Sequence, residues 1–101
     1  MPAPGQHPAV DAEIQEAARW YDARCPGLGD QFIDAVRAAT RRASRVPLRF
    51  AVRFADIRRV VLKRFPYSVW FFLRGDRTFV LSVTHNKRDH RAIVAARRPL
   101  A

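Results

Sequence analysis

The segment YSVWFFLRGDRTFVLSVTH, residues 67–85, decides the fold of this chain. Its first half carries apolar side chains in both alternating sets: Tyr67, Val69, Phe71 and Leu73 in one, Trp70 and Phe72 in the other. A strand that is apolar on both faces is typical of the centre of a sheet. Gly75-Asp76 fits a two-residue hairpin turn with glycine in the first central position. The segment therefore predicts a β-hairpin over residues 67–74 and 78–85, with its first strand central.

The neighbouring segments extend this sheet. In residues 78–85, the alternation places Phe79, Leu81 and Val83 on one face and Thr78, Ser82 and Thr84 largely on the other. Residues 57–65 predict another strand, and Pro66 marks a tight corner because proline interrupts a strand ladder. Residues 48–56 are apolar without a clear period, and we predict a loop with some extended character.

Two helices are predicted upstream, where the apolar period changes to that of a helix. The first begins near Val10, presents the stripe Val10, Ile14, Ala17, Ala18 and Tyr21, and ends at Cys25-Pro26-Gly27. The second runs from about residue 28 to 45 with the stripe Phe32, Val36, Ala39, Ala43 and Val46, and Pro47 ends it. Because the link between them is short, an antiparallel helical hairpin is expected.

The order of elements predicts an α+β domain in which a helical hairpin packs on a small antiparallel β-sheet. Residues 1–8 hold three prolines and predict an extended or disordered lead-in, and residues 9–101 predict a single domain. A final helical turn or two is expected within residues 89–98.

Charge is the strongest compositional signal. The chain has 19 Lys and Arg, 17 of them Arg, against 9 Asp and Glu, a formal net charge of +10. Such a charge on a small domain indicates a polyanionic partner, either nucleic acid or an acidic protein surface. A codon bias toward arginine would explain the preference over lysine but not the shortage of acidic residues.

Composition also excludes several classes. No apolar run approaches the length of a membrane span, and the N-terminus lacks the pattern of a signal peptide, so we expect a cytoplasmic protein that does not enter a membrane. Cys25 is the single cysteine, which excludes a disulfide framework. No metal or other cofactor is expected, because His85, Asp89 and His90 have no common ligand spacing.

Four segments in order carry a resemblance to a known family: EIQEAARWY (13–21), PGLGDQF (26–32), RRVVLKRFPYS (58–68) and LSVTHNKRD (81–89). Together they resemble the RelE/ParE superfamily of toxins from type II toxin–antitoxin systems, in particular the branch called plasmid stabilisation proteins. The resemblance implies an N-terminal strand, a helical hairpin, an antiparallel sheet and a cognate antitoxin that masks the active surface. Residues 1–6 depart from it, because they lack the alternating pattern of that first strand.

The RelE branch implies a ribosome-dependent messenger-RNA endonuclease whose active surface is built from Lys, Arg and a late Tyr. Arg59 and Arg88 match two of these positions, whereas Val61, Ser68 and Ile93 replace the other three. His85 is a further catalytic candidate, as a general base, although a histidine at a strand end is more often merely hydrogen-bonded. The ParE branch implies a poison of DNA gyrase and requires no such catalytic set, so the replacements favour it.

Contact residues are predicted in two groups. Arg58, Lys63, Arg64, Lys87 and Arg91 lie near the predicted sheet end and are candidates to contact phosphate or the target. The alternative is a solvated loop in which Asp89 caps a helix. Trp20 lies off the apolar stripe of the first helix, and Arg37 and Arg41 lie opposite the apolar stripe of the second. These three residues are candidates for antitoxin contact.

The sequence therefore predicts the toxin component of a type II toxin–antitoxin system, ParE-like and not a nuclease, with a cognate antitoxin as partner and DNA gyrase as a possible target. One alternative is a messenger-RNA endonuclease of RelE type, with the ribosome and messenger RNA as partners. Another is a degenerate, non-toxic nucleic-acid-binding domain.

Overall fold

A computed structural model describes residues 4–99. The elements are β1 (Gly5–Gln6), α1 (Val10–Arg24), α2 (Leu28–Arg45), a 3-10 turn (Pro47–Arg49), β2 (Val52–Phe54), β3 (Ile57–Val61), β4 (Tyr67–Arg74), β5 (Arg77–His85) and α3 (Arg91–Arg97). The sheet has the strand order β1-β5-β4-β3-β2, in which β1 pairs in parallel with β5 and the other pairs are antiparallel. The predicted α+β class, with a helical hairpin on the sheet, is confirmed. The sheet is mixed and not wholly antiparallel as predicted, because β1 runs parallel to β5.

The central position of β4 divides the hydrophobic core in two. Val69 and Phe71 face α1 and α2 and join the larger cluster. Trp70 and Phe72 face the other side and join a smaller cluster with Leu81 and, from α3, Val94. All four β4 side chains are buried, as predicted for a strand that is apolar on both faces. The helical hairpin covers one face of the sheet and α3 covers part of the other.

The helical hairpin is closed by a glycine. Gly29 lies so near α1 that a Cβ on it would come within 2.6 Å of the Ala18 carbonyl oxygen and 2.7 Å of the Asp22 carboxyl group. The Gly29 N–H donates to the Asp22 carboxylate over 2.7 Å, which satisfies one of the free donors at the start of α2. The predicted stripes of both helices pack against the larger cluster, apart from Val46, which is exposed.

β5 contains an irregularity that the sequence pattern did not reveal. Trp70 lies opposite Ser82 and Phe71 opposite Val80, so Leu81 is an extra residue in the ladder, a β-bulge. Leu81 packs in the smaller cluster, whereas Val83 packs in the larger one. The prediction that Phe79, Leu81 and Val83 share one face is therefore wrong for Val83, because the bulge reverses the alternation after Leu81.

Three boundaries also differ from expectation. β3 ends at Val61, and Arg64 adopts a φ of 71° in the turn before Pro66, so the predicted strand over residues 57–65 is too long. The segment 48–56, predicted as a loop, contains the end of the 3-10 turn and β2, which pairs with β3. Within the predicted lead-in, Gly5 and Gln6 pair with Phe79 and Val80. Residues 1–3 lie outside the described part.

A carboxylate joins α1 to the outer edge of β5 and to α3. The Glu13 carboxylate accepts hydrogen bonds from the Ser82 hydroxyl and the Val83 N–H, both over 3.1 Å. It also forms a half-buried salt bridge of 2.9 Å with Arg97, whose guanidinium donates to the Leu81 carbonyl over 3.0 Å. Because β1 ends at Gln6, these contacts cap backbone groups of β5 that no strand pairs among the described residues.

We expect Glu13→Ala to lower the free energy of unfolding by about 2 kcal/mol, since it removes charge-assisted hydrogen bonds from a half-buried site. Urea denaturation measures the change. Glu16→Ala, one turn later on α1 and exposed, is the matched control and should stay within about 0.5 kcal/mol of the parent. Equal losses in the two variants would show that the Glu13 contacts contribute nothing specific.

Candidate functional site

A cleft of about 480 Å³ lies between α1 and the last residues of β5. Much of the lining of this cleft is aromatic. Trp20 and Tyr21 come from α1, Tyr67 from β4 and His85 from β5. Arg88 supplies a cation, and Glu13 and Glu16 supply carboxylates. Trp20 is 50% exposed, and the Arg24 guanidinium stacks 3.4 Å from the centre of its ring. The cleft thus combines exposed aromatic surface with charges of both signs.

The two phenol groups of this cleft keep their protons, and the His85 ring is held by a backbone hydrogen bond. Burial raises the pKa of Tyr67, and the charge of Glu16 adds to this while Arg88 opposes it. Burial, with Tyr67, also raises the pKa of Tyr21, so both phenols keep their protons at neutral pH. His85 Nδ1 accepts from the Lys87 N–H over 3.1 Å, which places the proton of the neutral ring on Nε2. That nitrogen is a donor, which disfavours His85 as a general base.

A second group of polar residues lies on the opposite face of the sheet. The Arg59 guanidinium lies 5.5 Å from the centre of the Trp70 ring, and burial, with the charge of Arg53, lowers the pKa of Arg59. His90 is buried against the Trp70 ring, with 5.0 Å between ring centres, and its Nδ1 lies 2.5 Å from the Thr84 hydroxyl. Among the described residues, Trp70 Nε1 and His90 Nε2 are buried without a hydrogen-bond partner.

The three predicted catalytic residues are therefore not brought together. His85 and Arg88 line the cleft beside α1, whereas Arg59 stacks on Trp70 across the sheet. The positions that depart from the RelE pattern offer no substitute. Ser68 is fully buried and donates to the Asn86 side chain over 2.5 Å, and Val61 is an exposed apolar residue.

The predicted phosphate contacts are spread over several surfaces. Arg58 donates to the Phe50 carbonyl over 2.6 Å, on the face that the helices cover. Arg91 begins α3 with its guanidinium 4.8 Å from the Phe54 ring. Lys87 and Arg64 lie in exposed turns. Lys63 lies beside α2, away from the others. The alternative role of Asp89 as a helix cap is not seen, because His90 is the N-cap residue of α3 and makes no side-chain cap bond. The Asp89 carboxylate instead accepts from the N–H of Arg91, two residues on, over 3.2 Å.

A groove of about 520 Å³ runs between α1 and α2. The predicted antitoxin contacts Arg37 and Arg41 line it, together with Arg45 and the apolar side chains Ile14, Ile33 and Val36. Trp20 does not reach this groove and lines the cleft described above. The sequence reasoning overlooked Ile33, whose signal was an apolar residue directly beside the α2 stripe. It also overlooked the contact between the Trp70 and His90 rings. The turn after β5 brings His90 to this position, and the sequence of that turn has no hydrophobic period.

Two findings bear on the wider class of protein. No helix in residues 4–99 is both long enough and apolar enough to cross a membrane. Over the same described residues, no group of three or more His, Cys, Asp or Glu is arranged to hold a metal ion.

The burial of His90 predicts that the protein loses stability on acidification. Burial, with the charges of Arg59 and Arg88, lowers the pKa of His90, while hydrogen bonding with the Asn86 backbone and the charge of Asp89 oppose the shift. The unfolded chain takes up this proton near the ordinary pKa of about 6.5. The stability that neutral His90 contributes is therefore complete above that pH and is lost as the pH falls from there through the lower pKa of the folded state.

We expect the free energy of unfolding, measured in urea at pH 7.5 and pH 5, to be lower at pH 5. His90→Asn should reduce this difference, whereas His85→Asn, five residues earlier, should preserve it. The hydrogen bond with Arg98 lowers the pKa of Asp56, so this carboxyl group titrates below the window and does not interfere. An unchanged pH dependence in His90→Asn would contradict the assignment.

No family model matches the chain, and no curated protein matches it. The chain is similar to a solved structure described as "Chromosomal ParDE TA system from P. aeruginosa". The superposition has a TM-score of 0.73 and covers 84% of this chain and 96% of that chain, with 16% sequence identity. At this identity the likeness establishes the fold and leaves function to be argued from the site. The chain therefore shares the fold of that solved structure, in agreement with the α+β fold that its sequence predicted.

Proposed function

We propose that this chain is the toxin of a type II toxin–antitoxin system, neutralised in the cytoplasm by a cognate antitoxin and acting without cleaving RNA. The observation that carries the proposal is the likeness of its fold, over most of both chains, to one from a ParDE toxin–antitoxin system. The net charge of +10 supports it, because a polyanionic or acidic partner would neutralise that charge.

The distribution of the candidate catalytic groups supports a ParE-like rather than a nuclease activity. Cleavage of RNA through the 2′-hydroxyl needs a base, an acid and cations around one phosphate. Here His85 and Arg59 lie on opposite faces of the sheet, and Ser68 is buried where the RelE pattern has a cation. A ParE-like toxin that acts on DNA gyrase requires no such constellation.

A RelE-type endonuclease is the second candidate, and one observation favours it. Arg59 and His90 lie on the same face of the sheet, close enough for the charge of Arg59 to act on the His90 ring. If α3 moved, two ring nitrogens that lack partners among the described residues would become available to substrate. A non-toxic nucleic-acid-binding domain is the third candidate and differs from both in leaving growth unaffected.

The groove between α1 and α2 supplies a surface that fits the antitoxin. Ile14, Ile33 and Val36 provide apolar contacts, and Arg37 and Arg41 follow one another by a helical turn along its edge. An acidic, amphipathic helical segment would match both features, since its apolar face would pack in the groove while its carboxylates pair with the guanidinium groups.

Induced expression tests the activity. We expect growth arrest when the chain is expressed alone and normal growth when it is co-expressed with an adjacent reading frame that encodes the antitoxin. Arg59→Ala with Arg88→Ala should preserve the arrest if the chain acts as a ParE-like toxin, and cleaved DNA should accumulate. Loss of the arrest in this variant, together with new messenger-RNA 5′ ends in primer extension from cells that express the parent chain but not the variant, would establish the nuclease instead. Normal growth without the adjacent frame would leave the third candidate.

Charge reversal in the groove tests the antitoxin surface. Arg37→Glu should weaken rescue by the co-expressed antitoxin at least tenfold in the antitoxin dose required, because it places a carboxylate opposite an acidic segment. Arg19→Glu, at an exposed position on α1 that does not line the groove, is the matched control and should leave rescue unchanged. Equal rescue of both variants would exclude the groove as the antitoxin site.

A further inference from the structure

Arg37, Arg41 and Arg45 follow one another by single turns along α2, and we call them the arginine row. A second concave surface lies on the other side of this row from the groove. It has a volume of about 230 Å³ and is lined by Ala35, Ala38, Arg41, Arg42, Arg45 and Lys63. Four of these six side chains are cationic and the other two are methyl groups, so no carboxylate faces the cavity. We call it the alanine-floored pocket.

The fold builds this pocket from two separate parts of the chain. Arg41 and Arg45 are one helical turn apart on α2, and Arg42 projects beside them. Lys63 follows β3 in the turn toward Pro66, which the packing of β3 against α2 brings alongside. Asp34–Arg37, Glu13–Arg97 and Asp56–Arg98 are salt bridges within residues 4–99, and none of them includes these four cations. Their mutual repulsion is thus not offset by an ion pair in the described part.

The two sides of the arginine row differ in chemistry. The groove toward α1 has branched apolar side chains that would anchor an amphipathic protein segment. The alanine-floored pocket has only methyl groups between its cations, which leaves charge and hydrogen-bond donors as its means of recognition. Guanidinium groups bind phosphate in a bidentate manner, and an ammonium group adds a point charge.

We propose that the alanine-floored pocket binds the phosphodiester backbone of nucleic acid, without sequence selectivity. Neighbouring phosphates on one strand would be contacted by Arg42 and Lys63 together with the Arg41–Arg45 pair, and no base edge would be read. Because Arg41 and Arg45 also line the groove toward α1, nucleic acid and a protein segment in that groove would compete. The proposal does not depend on the chain being a toxin.

The test is fluorescence anisotropy with labelled 20-base-pair duplexes of two unrelated sequences, titrated with the full chain at several salt concentrations. Each phosphate contact adds about 0.9 to the slope of log affinity against log salt for duplex DNA. We therefore expect Arg42→Ala with Lys63→Ala to lower the slope by about 2 and to weaken binding at least tenfold, equally for both sequences. The two substitutions leave the groove between α1 and α2 intact, because neither residue lines it.

The matched control is Arg19→Ala with Arg53→Ala, which removes the same charge from two exposed positions that line neither concave surface and should change the slope little. Arg42→Lys with Lys63→Arg keeps the charge and should retain binding, which separates loss of contacts from loss of folding. An equal or larger loss in the control pair would overturn the proposal. It would also be overturned if inorganic tripolyphosphate or a polyglutamate peptide bound more tightly than the duplex and depended on the same two residues.

Discussion

The structure depends on the requirement that β4 be covered on both faces. Val69 and Phe71 on one side and Trp70 and Phe72 on the other are all buried, which removes several hundred Å² of apolar surface from water in one strand. A single helical layer cannot provide this, so the chain supplies two: the α1–α2 hairpin on one face and α3, through Val94, on the other. Glu13 then holds the two layers together around the edge of β5 by pairing with Arg97. The charged side chains that could contact a partner are therefore confined to the surfaces that these helices leave uncovered.

That confinement explains why the cations do not form one site. Residues that alternate along a strand point to opposite faces, so Arg58 and Arg59 are adjacent in sequence yet separated by the sheet. Arg58 is used to hold the Phe50 carbonyl, while Arg59 stacks on Trp70. Lys63, beyond the end of β3, is carried instead to α2. A cluster of basic residues in the sequence thus becomes three surfaces with different neighbours.

The sequence predicted the elements whose period continues over several turns or a whole strand. Both long helices and β4 have the expected bounds, because their buried residues recur at a regular spacing in the sequence. It failed where one residue breaks the period: the bulge at Leu81 moves Val83 to the other face, and no local pattern marks it. β1 was missed because two paired residues between prolines carry no alternation. The candidate site was less predictable, since the positions of His85, Arg59 and His90 depend on strand parity and on how α3 packs.

The arginine row on α2 gives the clearest link between fold and function. A helix packed by one stripe presents the opposite stripe to solvent, and here that stripe separates two concave surfaces that share Arg41 and Arg45. One surface has apolar anchors beside its cations and the other has none, so the proposals assign the same guanidinium groups to a protein segment on one side and to phosphates on the other. Arg41 and Arg45 cannot make all their contacts with both partners at once. Binding of one partner would therefore weaken binding of the other through these contacts alone. No movement of the backbone is required for such coupling. An antitoxin in the groove would thus also weaken any hold of the chain on nucleic acid.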